Sequence, residues 1–481
     1  MHHPSTALDD DALFDDVLAR THHHARAHLQ TRNDQPIGAR ATAAELRARL
    51  HRPLAGQGIA PQQVIDDLVA DVAGGIHSMN TGRFFGWVNG GTLPASLGAD
   101  WLTSVWDQNA AMFAVSPAAA IVEEVVGDWL KTIFNLPSHS SFALVSGTQM
   151  AHVTSLAAAR HRLMKSRGWD VEAKGLNGAP PLRILTSSER HGSVDRAARL
   201  IGIGRDNIFP LACQDDGTLA PETLRVALAQ HGDAAIIVSL QAGDLNIGAF
   251  DDFATLVPIA HAAGAWVHVD GAFGLWAAAS ATHCAKTRGL ETADSWSTDG
   301  HKWLNTPYDS GIAMIADAEA HRAAMTYRAS YMHVEGDVRE EMDWGPDWSK
   351  RARGFPLYAA LRELGRDGIA ELIDRCCAMA KALVGGIAQL PGAELVWLPT
   401  LNQGLLRFPD PAPSATDADH DRHTDAMIAR INASGEAFFG GTTWGGKRCM
   451  RVSVCGWQTQ ESDVERAIAA VRLALMRNAA A

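Results

Sequence analysis

Four short stretches of this chain hold residue types that could do chemistry together. The first is Ser295-Trp296-Ser297-Thr298-Asp299-Gly300-His301-Lys302-Trp303. A lysine amine is a nucleophile near neutral pH only when desolvated or set near another cation, and the flanking tryptophans suit a partly buried site. The plain alternative for Lys302 is a surface lysine beside an aromatic anchor. The second is Trp266-Val267-His268-Val269-Asp270-Gly271-Ala272-Phe273. A carboxylate at the end of an apolar β-run is costly to bury without a partner. A protonated ring nitrogen would be one such partner, and a helix N-cap role for Asp270 is the competing reading. The third, Phe142-Ala143-Leu144-Val145-Ser146-Gly147-Thr148-Gln149, reads as strand, small-residue turn and helix start. Such a turn offers backbone N–H groups and the positive helix end to an anion such as phosphate. The fourth, Glu189-Arg190-His191-Gly192-Ser193-Val194-Asp195, places a histidine after a strand. His191 could stack on a flat ligand or carry a proton, or simply open a helix.

These stretches need a scaffold that brings strand ends together. Short β-branched runs at 142–145, 183–187, 235–240, 265–270 and 311–315 read as strands. Helical patterns at 148–166, 191–201, 221–230 and 251–263 separate most of them, which predicts an α/β domain with a mostly parallel sheet. In such sheets ligands gather beyond the carboxyl ends of the strands. Ser116-Pro117 opens a further helix with proline at its first position. The run Lys350-Arg351-Ala352-Arg353-Gly354 breaks the pattern. After it we expect a long helix at 357–390, strands near 394–398, 403–408, 437–443 and 450–454, a helix near 420–433 and a last helix from Glu461. The organisation predicted is a helical segment at 1–80, a large α/β domain at 81–355 and a small α+β domain at 356–481.

Composition narrows the function. The 481 residues carry a net charge of −12, which argues against general nucleic-acid binding, since that needs a basic face. The six cysteines are scattered; with no cysteine–histidine ladder there is no zinc pattern, and reduced thiols in a cytoplasm are expected. No apolar run is long enough to cross a bilayer, and the aspartate-rich start lacks the pattern of a signal peptide. His22-His23-His24 reads as a solvated helix face rather than a metal site.

Taken in order, a phosphate turn, a stacking histidine, a strand-end aspartate and a lysine form a pyridoxal-phosphate constellation. The segments 145–149, 191–195, 268–272 and 301–304 closely resemble those of the group II pyridoxal-phosphate-dependent amino-acid decarboxylases, a family that includes aromatic-amino-acid, glutamate, histidine and cysteine-sulfinate decarboxylases; the likeness runs from about Arg83 to Val454. It implies the fold type I (aspartate aminotransferase-like) architecture of pyridoxal-phosphate enzymes, with residues 81–355 binding the cofactor. It also implies a homodimer with shared sites and an amino-acid substrate converted to amine and carbon dioxide. By the same resemblance Lys302 would carry the cofactor as a Schiff base, Asp270 would pair with its ring nitrogen, and His191 and Ala272 would pack on its two faces. Gly147, Thr148 and Ser295 would hold the phosphate, with His301 nearby. Arg451 would hold the substrate carboxylate, its alternative being a salt bridge toward a helix. Tyr331 would protonate the carbanion, ahead of Tyr327. Trp87 and Asn89 would line the substrate side-chain pocket, and Asn109 would reach it across the dimer interface.

The sequence departs from the family pattern at Asp299-Gly300, where asparagine-proline is common, and at Gly271 and Phe273. The pocket stretch around Trp87 and Asn89 is more polar than in aromatic-specific members, though an aromatic substrate remains the first expectation. The same fold also hosts carbon–carbon lyases, aldehyde synthases and aminotransferases, because the cofactor supplies the electron sink in all of them. A tyrosine at 331 favours simple decarboxylation over aldehyde formation. Retention of Lys302, Asp270, His191 and Tyr331 argues against a pseudoenzyme.

Overall fold

The computed structural model describes residues 10–327 and 338–479. Seven strands form the larger sheet: β1 (Ser141–Val145), β2 (Leu182–Ser187), β3 (Ile208–Leu211), β4 (Ala235–Gln241), β5 (Trp266–Asp270), β6 (Ser295–Asp299) and β7 (Gly311–Ile315). Their order is β1-β7-β6-β5-β4-β2-β3. The pairs β3–β2, β2–β4, β4–β5 and β5–β6 are parallel, and β7 runs antiparallel between β6 and β1. The chain is thus of the α/β class expected.

Every residue of β1, β4, β5, β6 and β7 is buried, as a sheet covered on both faces requires. One face packs under the helix Thr148–Lys165 through Val145, Ala151, Ile184 and Ile237. The other face shares a larger core with the kinked helix Gly354–Ala388, including Val269, Trp296, Leu372 and Val452. β3 was not foreseen. Its sequence, Ile-Phe-Pro-Leu, holds a proline that cannot donate to a ladder, and it sits at the sheet edge where that is tolerated.

Register explains how distant motifs meet. Val145, at the end of β1, and Asp299, at the end of β6, both pair with Gly311. Asp270, at the end of β5, pairs with Gln241 and Ser297. The turn 146–148 therefore lies beside Asp299, one strand from Asp270. Gly311 permits this: a Cβ there would sit 2.3 Å from the Gly147 Cα.

A second, antiparallel sheet of order β10-β11-β9-β8 is built from β8 (Glu394–Trp397), β9 (Gln403–Arg407), β10 (Gly440–Trp444) and β11 (Lys447–Ser453). It carries Arg451. The N-terminal residues form helices Asp10–Thr31, Ala43–Leu50 and Pro61–Asp71. Among the described residues no helix is long and apolar enough to cross a membrane.

Candidate active site

The carboxyl ends of β4, β5 and β6 open into a cavity of about 880 Å³. Gly147, Thr148, His191, Asp270, Ala272, His301, Lys302, Arg451, Trp87 and Asn89 all line it. Two of the expected residues are elsewhere. Ser295 is at the start of β6, four residues and roughly 13 Å back from the strand end, and its Oγ is engaged with Trp266 Nε1 and His268 Nδ1, each at 2.9 Å. Asn109 does not line the cavity of its own chain; its Oδ1 accepts the Lys350 backbone N–H at 3.2 Å. Tyr331 lies outside the described residues.

Lys302 enters the cavity from a tight loop after β6. Asn305 anchors that loop: its side chain accepts from the Gly91 and Trp457 backbone N–H groups and donates to the Trp303 and Cys455 carbonyls. The segment holding Trp87 and Asn89 packs directly on the loop, because a Cβ at Gly90 would collide with the Lys302 carbonyl oxygen at 1.9 Å.

Lys302 Nζ lies 3.1 Å from Asp299 Oδ2. Asp299 is buried, and its Oδ1 accepts the Thr148 backbone N–H at 2.6 Å, at the start of the helix Thr148–Lys165. A carboxylate thus occupies the electropositive helix end. The Thr148 Oγ1 beside it is buried and has no hydrogen-bond partner among the described residues. Buried hydroxyls are normally satisfied, so this orphan, together with the Gly147 turn, fits a phosphate group. His301 accepts the Ser310 N–H on Nδ1 at 3.1 Å and places Nε2 3.5 Å from Asp299. Burial lowers its pKa, against the opposing pull of Asp299. The Tyr308 ring stacks on His301 with centroids 4.3 Å apart, and its hydroxyl donates to Asn89 Oδ1 at 2.8 Å. Burial, reinforced by Asp299, pushes the Tyr308 phenol up to about 12.

Asp270 is also buried. Its Oδ1 accepts the Ala272 N–H at 3.2 Å, and its Oδ2 lies 3.4 Å from His152 Nε2. Burial alone would raise its pKa, but His152, then His191 and Lys302, outweigh that and hold it well below the usual carboxylate range. Behind it runs a line of buried contacts: His152 Nδ1 to His268 Nε2 at 2.8 Å, then His268 Nδ1 to Ser295 Oγ. Burial pushes the His268 imidazole down to about 3, His152 adding to the effect and Asp270 opposing it.

His191 caps the helix Gly192–Leu200, its Nδ1 accepting the Ser193 N–H at 3.2 Å, while its ring faces the cavity. The structural and the ligand-facing readings therefore hold together. Desolvation on its inner side lowers its pKa, ahead of the opposing pull of Asp270. Arg451 is 7% exposed. Its Nη1 donates to the Leu245 carbonyl at 3.2 Å, and no carboxylate lies within 4.0 Å among the described residues. Asp244 acts on it only from beyond ion-pair distance, and a buried guanidinium with no direct ion pair can seat an anion. Trp87 holds φ at +51°, a left-handed conformation rare for a bulky residue. Its ring sits 5.4 Å from that of Phe438, which stacks on Phe84 at 5.0 Å.

Asp299 was legible only as a departure in the motif before Lys302. Tyr308 and His152 were not singled out at all. For His152 a signal existed: it stands four residues after Thr148, on the same helix face.

Known proteins resemble this chain in sequence and in fold. Residues 46–408, more than half of the chain, match the Pyridoxal-dependent decarboxylase conserved domain. The chain is 26% identical to phenylacetaldehyde synthase of Arabidopsis thaliana, covering 84% of each protein. It is 27% identical to tryptophan decarboxylase 1 of Oryza sativa subsp. japonica, covering 83% of this chain and 82% of that one. Among solved structures, Oryza sativa TDC with PLP and tryptamine superposes with a TM-score of 0.91 at 22% identity, over 99% of this chain and 100% of that one.

Proposed function

The chain belongs to the pyridoxal-dependent decarboxylase family, and on that premise we propose that Lys302 carries pyridoxal 5'-phosphate for the decarboxylation of an aromatic L-amino acid to its amine. The observation that carries this reading is one cavity lined by Lys302, two buried carboxylates, an orphan hydroxyl at the helix start and a guanidinium with no direct ion pair.

When bound, the cofactor supplies the electron sink for the pair released as carbon dioxide leaves. Gly147, the Thr148 hydroxyl and the helix end hold its phosphate. Asp270, kept ionised, holds a proton at the ring nitrogen. His191 and Ala272 flank the ring. Arg451 takes the substrate carboxylate in a charge-assisted contact, which orients the bond to be broken. Tyr331, from its place after the lysine loop, returns the proton to Cα. Trp87, backed by Phe438 and Phe84, forms an aromatic wall for the substrate side chain, and Asn89, tied to Tyr308, sets its polar edge.

The homodimer and a cytoplasmic location belong to the same proposal. Trp101, Leu102, Val105 and Trp106 on the helix Pro94–Trp106 are 39–61% exposed, an apolar patch of the kind an interface covers. Asn109 follows directly on and would reach the neighbouring site from there. All six cysteines are free, as suits a reducing compartment.

The likeness to phenylacetaldehyde synthase supports a second reading, oxidative decarboxylation on the same cofactor, in which dioxygen takes the two electrons as hydrogen peroxide, water enters, and aldehyde, ammonia and carbon dioxide leave. The deciding experiment records visible spectra of wild type and Lys302→Ala, then follows carbon dioxide, amine and aldehyde from a panel of amino acids. A visible cofactor band absent from the variant, with matched carbon dioxide and amine from an aromatic substrate, is the expected result. Aldehyde with ammonia moves the function to the second reading. No band in the wild type overturns both.

A further inference from the structure

Four side chains outside the cavity form one continuous buried line behind Asp270: Trp266, Ser295, His268 and His152. They come from β5, β6 and the helix Thr148–Lys165, and His152, His268 and Ser295 have no exposed surface. None of the four faces a ligand, so the cavity chemistry leaves them unexplained.

Hydrogen-bond polarity gives the line a direction. An indole Nε1 can only donate, so Ser295 Oγ accepts from Trp266. The Ser295 hydroxyl proton then has one acceptor among its contacts, His268 Nδ1. A histidine accepting on Nδ1 and kept neutral by burial carries its proton on Nε2, and that N–H points at His152 Nδ1. His152, accepting on Nδ1, must carry its own proton on Nε2, a buried atom with no hydrogen-bond partner among the described residues and with Asp270 Oδ2 3.4 Å away. The reverse direction would leave the buried Ser295 hydroxyl proton with nothing to bond. Ser297 Oγ also lies 3.2 Å from His152 Nδ1, and its hydroxyl has the Val269 carbonyl as a second acceptor at 3.4 Å.

We infer that His152 is a positioning residue for the cofactor site: a tautomer imposed by the chain Trp266–Ser295–His268 keeps an N–H on the Asp270 carboxylate and holds it ionised in one orientation. The inference rests on the family reading, since Asp270 matters in this way only if a ring nitrogen meets it. The other charged or titratable groups facing Asp270 are His191 and Lys302, and both belong to the cavity itself.

The test compares His152→Gln, which retains a donor and an acceptor, with His152→Phe, which retains only bulk. Ser295→Ala, which removes the link that sets the direction, is the third variant. The readouts are the dissociation constant for pyridoxal 5'-phosphate, measured on stripped protein by visible absorbance, and the pH at which the bound cofactor's band changes. Weakening of roughly 10- to 50-fold with a shifted pH transition in His152→Phe is expected. His152→Gln should stay within a few-fold of wild type, and Ser295→Ala should shift in the same sense as His152→Phe by a smaller factor. Should His152→Phe fail to fold, the Ser295→Ala and His152→Gln pair still decides. Wild-type affinity and pH response in folded His152→Phe or Ser295→Ala would overturn the inference, as would equal losses in Gln and Phe, which mean packing alone. A wild type that binds no cofactor fails differently: it removes the family reading and this inference with it.

Discussion

Asp270 and Asp299 end adjacent strands, both are buried, and both stand close to Lys302, yet they are held in different ways. Asp270 is fastened from behind by an imidazole whose own partners are buried side chains. Asp299 is fastened from the front, by the first N–H of a helix and by the lysine itself. Partners inside the core do not change when a ligand arrives. Those of Asp299 do, because the helix end and the lysine amine are the groups a phosphate and an aldehyde would claim. Two carboxylates in one cavity can thus serve opposite purposes: one supplies a permanent charge, the other a charge that must yield its contacts.

Removing the permanent charge should have the largest effect. Asp270→Ala is expected to lower kcat/KM by about three orders of magnitude or more, roughly 4 kcal/mol of transition-state stabilisation. Much of this comes from the ring nitrogen, and the His152 N–H behind it, losing their carboxylate partner. Steady-state kinetics alongside cofactor affinity would check it, and a loss below tenfold would end the distinction between the two aspartates. Arg451→Leu comes next. A buried guanidinium that gains a direct ion pair from substrate should cost about 2–3 kcal/mol on truncation, read as a rise in KM of roughly 50- to 100-fold with cofactor binding unchanged.

Asp299→Asn tests the other carboxylate. If its charge competes with a phosphate for the Thr148 N–H, the amide should tighten binding of inorganic phosphate and of the cofactor by roughly 30-fold, about 2 kcal/mol. Titration of stripped protein with each ligand would show it. Weaker binding in Asp299→Asn would mean that the carboxylate helps to hold the phosphate, and the two aspartates would then be alike.

How much of this was legible beforehand follows from the range over which each signal acts. Asp270 and the 146–148 turn stand where strands end, and strand ends can be read from local apolar runs; Lys302 follows the polar strand β6 and was legible from its own short motif. The meeting of Val145 with Asp299 across Gly311 depends on an antiparallel strand inserted between them, which no local pattern declares. Ser295 was expected to hold the phosphate from the family resemblance alone, and it shares a short polar run with Asp299. The run is a fully buried strand, so its first residue faces the core histidines while its last faces the ligand. Arg451 could equally have paired with a helix; only the packing of the small sheet on the large one brings it to the cavity with no direct ion pair among the described residues. Helix spacing from Thr148 could mark His152, but its contact with a residue 116 positions away lies beyond any spacing rule.

The smallest effect expected belongs to the core side of Asp270, and its sign separates it from its surroundings. His268 has its pKa pushed down to about 3 in the folded protein, against about 6.5 when unfolded. The folded state therefore binds the proton less well, so the stabilisation is complete above about 6.5 and is lost as pH falls toward 3. Linkage puts the loss at about 1.4 kcal/mol one pH unit below the unfolded value. Asp244 and Asp251 act oppositely: burial raises both to about 6, so folding gains as pH falls from there toward the unfolded value near 3.8. A bare pH profile would mix the two. The difference between wild type and His268→Gln, measured by urea unfolding of stripped protein at pH 7.5 and 5.5, cancels the aspartates and should narrow by about 1.4 kcal/mol at the lower pH. A constant difference would mean that His268 takes up its proton without cost, and a histidine line able to charge so easily could not hold Asp270 in a single state.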